Sequence, residues 1–316
     1  MRNPARGDVW LVWLYAAAAV ALGAWMAPWL YNAGQALAEV SSHKTTNGPL
    51  HGLAGMCQTA QFPQFYEAAM LLAAALLWFP WLEWRHHRRG TRTTSPGQPL
   101  HANLHGLWHA GAGFLLVAGL FVALDLAFGA LGWGLPRELA GGPAVLALKA
   151  LAGAAVLEGL FRGLALGVFL RAMRPAAALG MSALYFTLVL SVIPRPGETV
   201  ADPEAAATGC EMLRLAAWRF ADWRSICGHF VPLLALGGVL AYARWRTAAL
   251  WLPIGLHAGW LFAQSLPRHL PAPAAPVLSG SPLQQAALPL AVLLVAGVLT
   301  HWLTPNPPAD DLPART

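Results

Sequence analysis

The sequence predicts an all-α protein, a multi-pass transmembrane bundle of about eight spans. Three observations carry that expectation. Of the 316 residues, 57% are hydrophobic and only 11% are charged, against about 25% charged in an ordinary soluble domain. A soluble chain so poor in charge would struggle to cover its own surface. The apolar residues also fall in long blocks rather than in alternation, and a hydrocarbon layer about 30 Å thick needs about 20 of them per helix. Lipid offers the backbone no hydrogen-bond partner, so each block must pair its own amides, as a helix does. The 31 glycines and 25 prolines agree, because both are commoner in membrane helices than in soluble ones.

The blocks cover residues 9–31, 65–82, 107–132, 143–165, 175–193, 229–243, 247–266 and 282–302. The first is long for the apolar core of a signal peptide and is read as a retained span, although Ala-x-Ala-like sites occur within it. Basic residues set the orientation. Arg2 and Arg6 precede the first block. Arg85, Arg88, Arg89 and Arg92 follow the second, Arg171 and Arg174 the fourth, and Arg244 and Arg246 the sixth. Strict alternation brings all four clusters to one side, which the positive-inside rule makes the cytoplasm. An even number of spans then puts both termini there, in a cell's inner (cytoplasmic) membrane. The formal charge of +6 would suggest nucleic acid in a soluble protein. Here the basic residues flank spans, so membrane lipid is the expected partner and nucleic acid is not.

This reading divides the chain into a two-span region with a basic loop (1–106), a membrane core (107–304) and a Pro- and Asp-rich tail expected to be disordered (305–316). Trp10, Trp13, Trp29, Trp78, Trp81, Trp84, Trp108, Trp133 and Trp302 lie near block ends, where indole rings meet the headgroups. Two longer loops, 32–64 and 194–228, fall on the non-cytoplasmic side. In the second, Met212, Leu215, Trp218 and Trp223 have the pattern of an amphipathic interfacial helix. Cys57, Cys210 and Cys227 lie in these loops or at their ends. A Cys210–Cys227 disulfide would close the shorter loop; three unpaired thiols are the alternative.

Ionisable groups inside spans are costly and are candidates for function: Asp125, Lys149, Glu158, Arg162 and His257. Glu158 and Arg162 are four residues apart, so they share a helix face and can pair. His257 sits in an apolar block and needs a partner, either as a hydrogen-bonded core histidine or as a metal ligand. His101, His105 and His109 would line one helix face, and with His86 and His87 could form a metal site. A wet helix entry at the membrane surface is the expected reading of that cluster.

The stretch Leu157-Glu158-Gly159-Leu160-Phe161-Arg162-Gly163 resembles the first motif of the CPBP intramembrane proteases, the family of the type II CAAX prenyl endopeptidases: two glutamates, three variable residues and an arginine. Trp251-Leu252-Pro253-Ile254-Gly255-Leu256-His257-Ala258-Gly259-Trp260 resembles its last motif region. The resemblance implies a zinc metalloendopeptidase acting on prenylated or transmembrane peptides, with Glu158, Arg162 and His257 at catalytic motif positions. Three departures oppose that activity. Leu157 replaces the first glutamate. Leu190 stands where the second motif, begun by Phe186, has histidine. Leu261 follows His257 where the family has asparagine or another polar residue. Glu158 and His257 alone are too few for a catalytic zinc, which takes three protein ligands and a water.

The expectation is therefore a degenerate, non-catalytic relative with no cofactor, binding lipid and a prenylated or transmembrane peptide or protein. Glu158 and His257 would converge across the bundle, His257 hydrogen-bonded to a backbone carbonyl or to a neighbouring side chain such as Glu158, with Leu190 and Leu261 filling the space between them. The alternative is a divergent active protease that binds zinc through Glu158, His257 and a further ligand such as His229 or Cys227. A small-molecule transporter is a weaker third reading, because no inverted repeat is visible.

Overall fold

The computed structural model describes residues 4–43, 49–89, 104–127, 142–195, 198–265 and 282–304. Arg92, His101, Trp133 and the tail from residue 305 lie outside the described residues, as do the side chains of His86, His87, His105 and Asp125. Every regular element among the described residues is helical. In order these are α1 (Pro4–His43), α2 (Pro49–Thr59), α3 (Phe62–Arg89), α4 (Leu104–Ala127), α5 (Gly142–Glu158), α6 (Leu166–Ala172), α7 (Pro175–Ser191), α8 (Thr208–Trp218), α9 (Trp223–Ser225), α10 (Val231–Thr247), α11 (Trp251–Ser265) and α12 (Pro282–Leu303). π-helical turns at Gly159–Ala165 and Ile226–Phe230 join α5 to α6 and α9 to α10.

Five segments are long and apolar enough to cross a membrane: Gly7–Ser41, Gly106–Ala123, Gly142–Ala172, Trp223–Thr247 and Ala286–Leu303. Two shorter apolar helices, Phe62–Trp78 and Pro175–Ser191, accompany them. The expected seventh block is helical over most of its described part. It forms α11, only 15 residues long, about 22 Å at 1.5 Å per residue. Every residue from Pro253 to Trp260 is buried. Its hydrophobicity serves contact with neighbouring helices, as that of a span in the middle of a bundle also does. Among the described residues, length and composition identify five candidate spans and two shorter apolar helices, which does not confirm the expected count of about eight.

The chain divides into two compact units, residues 1–93 with 188–223, and residues 94–187 with 224–316. In the first, α1 packs along α3. Gly23 makes the close approach possible, since a Cβ there would lie 2.8 Å from Met70 Cα. Ala24, Ala27, Phe62, Tyr66, Ala69 and Met212 form its core. Tyr31 meets Phe62 and Phe65 edge-on, with ring centroids 5.7 and 5.3 Å apart. The Tyr15 hydroxyl donates to Ala74 O at 2.5 Å. The segment after α7 is held by Arg219. Its guanidinium is paired with Glu198 and donates to Ser191 O and Ile193 O at 2.8 and 2.9 Å. Burial and the nearby Arg219 charge lower the pKa of Arg195 from its ordinary value.

Cys57, Cys210 and Cys227 are free thiols, the unpaired one of the two readings. Cys210 belongs to α8 and Cys227 to the second π turn, so both sit in helical segments rather than in one open loop.

The second unit is built around α11. Gly255 and Gly259 face α4, where a Cβ would lie 2.1 Å from Ala110 O and 2.6 Å from Phe114 O respectively. Gly113 of α4 returns the contact, its Cβ position 2.9 Å from Leu256 N. Small residues at such spacing let membrane helices bring their backbones together. On the other side, Ala150 and Ala154 of α5 pack with Ile254 and Ala258. Arg246 of α10 caps the end of α12, donating to His301 O at 2.9 Å and to Thr304 Oγ1 at 3.2 Å. A cation there complements the partial negative charge of a helix C-terminus.

Candidate functional site

Helix α5 ends at Glu158, and the chain widens into the π turn that carries Arg162. Inserted π turns are often found at functional sites. Both charged side chains are fully buried, so each must find its partners inside the protein. Arg162 Nη1 donates to Glu158 Oε1 at 3.1 Å. Nη2 donates to the backbone oxygen of Gly237 at 3.1 Å. The guanidinium carbon also lies 4.2 Å from the centroid of the Phe186 ring, a cation–π distance. Gly237 enables this arrangement. A Cβ there would lie 3.0 Å from Ala183 Cα and 3.1 Å from Phe186 Cδ1, so a side chain would force α10 away from α7 and withdraw the carbonyl.

His257 enters from α11. Its Nδ1 is 2.7 Å from Glu158 Oε1, and its ring meets Phe186 at 5.6 Å and 74°. Toward an ionised carboxylate, which only accepts hydrogen bonds, Nδ1 would be the donor in this contact. One carboxylate oxygen therefore holds both Arg162 and His257. The other, Glu158 Oε2, is buried with no hydrogen-bond partner among the described residues, as is Arg162 Nε.

The structure brings Glu158, Arg162 and His257 together, although 99 residues separate the glutamate from the histidine. The expected gap between them does not exist, because they are in direct contact. Leu261 packs instead against the Ala150, Ala154, Ile254 and Ala258 cluster. Leu157 and Leu190 are half-buried, and Leu190 belongs to the other compact unit. Lys149 is exposed on α5. Sequence reasoning missed the Gly237 carbonyl; the Gly237-Gly238 pair inside an apolar helix was the available signal for a close backbone approach.

Whether this donor set fits a catalytic zinc is decided by its count. Among the described residues no group of three His, Cys, Asp or Glu side chains is placed to hold a metal ion. Glu158 and His257 supply two donors, and His257 Nδ1 is engaged with the carboxylate. That set falls short of the three protein ligands of a catalytic zinc, so it does not fit the metal that the motifs imply.

The apolar helices and this buried ionic cluster define an integral membrane protein. Residues 140–263 match the family model described as type II CAAX prenyl endopeptidase Rce1-like. The matched segment, less than half of the chain, includes Glu158, Arg162, Phe186 and His257, and the family is the one that the motifs resemble. The protein is CAAX-protease-like in this segment. No curated protein and no solved structure matches the chain.

Proposed function

We propose that this CAAX-protease-like membrane protein is non-catalytic and acts as a binding or regulatory protein of the cytoplasmic membrane, with both termini in the cytoplasm. The observation that carries the reading is the double engagement of Glu158 Oε1 by Arg162 and His257. A glutamate that activates water needs a lone pair facing that water, and a zinc ligand needs one facing the metal. Here one oxygen of the motif carboxylate is taken up by the other two motif side chains in a fully buried cluster. The leucines at positions 157, 190 and 261 add no donor. The partners of this reading are membrane lipid and a prenylated or transmembrane peptide or protein.

A second reading, a divergent active endopeptidase, is favoured by one observation. Glu158 Oε2 and Arg162 Nε are buried with no hydrogen-bond partner among the described residues, and buried polar atoms of this kind commonly hold an ordered water. Elemental analysis after metal-free purification, together with incubation of the full-length protein with a farnesylated CAAX peptide, separates the two. Substoichiometric zinc and an intact peptide are expected. Cleavage that is lost in Glu158→Gln, or about one zinc per chain lost in His257→Ala, would establish the protease instead.

Orientation is tested separately. Reporter fusions after Arg89 and after Glu204 are expected to report opposite sides of the membrane, with Arg89 cytoplasmic. The same side for both would overturn the arrangement drawn from the four arginine clusters.

A further inference from the structure

We propose that α8 and the turn behind it form a lipid-binding surface, with Trp218, Phe220 and Trp223 seated in the boundary between headgroups and acyl chains. The argument starts from α1. Its 40 residues extend about 60 Å at 1.5 Å per residue, twice the thickness of a hydrocarbon core of about 30 Å. Part of α1 must therefore leave the hydrocarbon. Trp10 is 74% exposed, and Trp25 and Trp29 are 63% and 62% exposed. The interval from Trp10 to Trp29 corresponds to about 28 Å of helix, close to one hydrocarbon thickness. Exposed indoles at such an interval mark the two interfaces.

The contacts of α8 place it at the second of these levels. A Cβ on Gly209 would lie 1.7 Å from Ala24 O, so α8 rests directly on the α1 backbone beside Trp25. Met212 is buried against Ala24, Ala27 and Tyr66. The preceding loop lies farther along α1, where Asn32 Nδ2 donates to Glu204 O at 3.3 Å. Eight residues of helix separate Ala24 from Asn32, about 12 Å. The acidic loop of Glu198, Asp202 and Glu204 thus runs outward, and the chain descends from it into α8.

One face of α8 is committed to the protein through Thr208, Gly209, Met212 and Ala216, all buried. Beyond that face the aromatic residues reach the surface, with Trp218 65%, Phe220 40% and Trp223 56% exposed. Trp223 is also the first residue of the candidate span Trp223–Thr247, so the chain enters the membrane at these rings. Amphipathic aromatic groups at the level of Trp25 and Trp29, next to the start of a span, fit a phospholipid boundary. The inference does not depend on whether the Glu158 cluster is catalytic.

The test uses the full chain with Cys57, Cys210 and Cys227 changed to serine, reconstituted into vesicles of phosphatidylcholine and phosphatidylglycerol. A nitroxide is attached at Trp218→Cys, and separately at Phe220→Cys in case one site disturbs folding, with Glu204→Cys as the aqueous reference. Power saturation against oxygen and a water-soluble nickel chelate reads the environment. The ratio of oxygen to nickel accessibility is expected to be several-fold higher at positions 218 and 220 than at 204. A ratio matching that of position 204 would put the patch in water. Low accessibility to both quenchers would mean that protein covers it. Either result overturns the proposal.

Discussion

Replacing Arg162 with methionine is expected to destabilise the folded protein by about 3–5 kcal/mol, the usual consequence of leaving one member of a buried ion pair uncompensated. Glu158 would keep its contact with His257 Nδ1 but lose the 3.1 Å contact from the guanidinium, in a fully buried position. Glu158→Gln acts from the other side. A guanidinium is not deprotonated in proteins, so Arg162 would remain charged and hold only Gly237 O and the Phe186 ring face. The double substitution Glu158→Gln with Arg162→Met removes both charges and is expected to cost less than the sum of the single changes. Denaturation of the four proteins in one detergent measures the cycle. Neutral effects in all three variants would mean that the cluster is not structural, and would strip the non-catalytic reading of its physical basis.

The Glu158–Arg162 pairing was legible in the sequence because a helix puts positions four apart on one face. His257 was legible as a residue needing a partner, but not with that partner fixed, because only the packing of α11 against α5 brings it to Glu158. The membrane class followed from composition. Which apolar runs face lipid and which face protein did not, because a run such as 247–266 reads alike whichever surrounds it. In α11 the difference is made by Gly255 and Gly259, which matter for the side chains they lack. The departure at Leu261 put an apolar residue at a polar motif position but did not give its packing role, since an apolar residue on a helix can face any of several neighbours. The amphipathic pattern around Met212 and Trp218 did foretell α8. It could not say that Met212 would turn into the core and Trp218 away from it.

Gly255→Ala is expected to cost more than about 3 kcal/mol, above the usual range of 1–3 kcal/mol for overpacking a core. The added methyl group would lie 2.1 Å from Ala110 O, a backbone atom that no rotamer change can move. Relief requires α11 to withdraw from α4. His257 follows Gly255 by two residues on the same rigid helix, and its 2.7 Å contact with Glu158 Oε1 leaves little slack for such a shift. The substitution is therefore expected to loosen the ionic cluster as well as the helix seam. Gly119→Ala on α4 is the control, because nothing lies within 4 Å of its Cβ position. There the gain in helix propensity, about 0.5–1 kcal/mol, should leave the protein unchanged or slightly more stable. Thermal denaturation of both variants in the same detergent checks the pair. Equal stability would show that α4 and α11 do not pack as closely as their glycines indicate, and that His257 is positioned by something other than this seam.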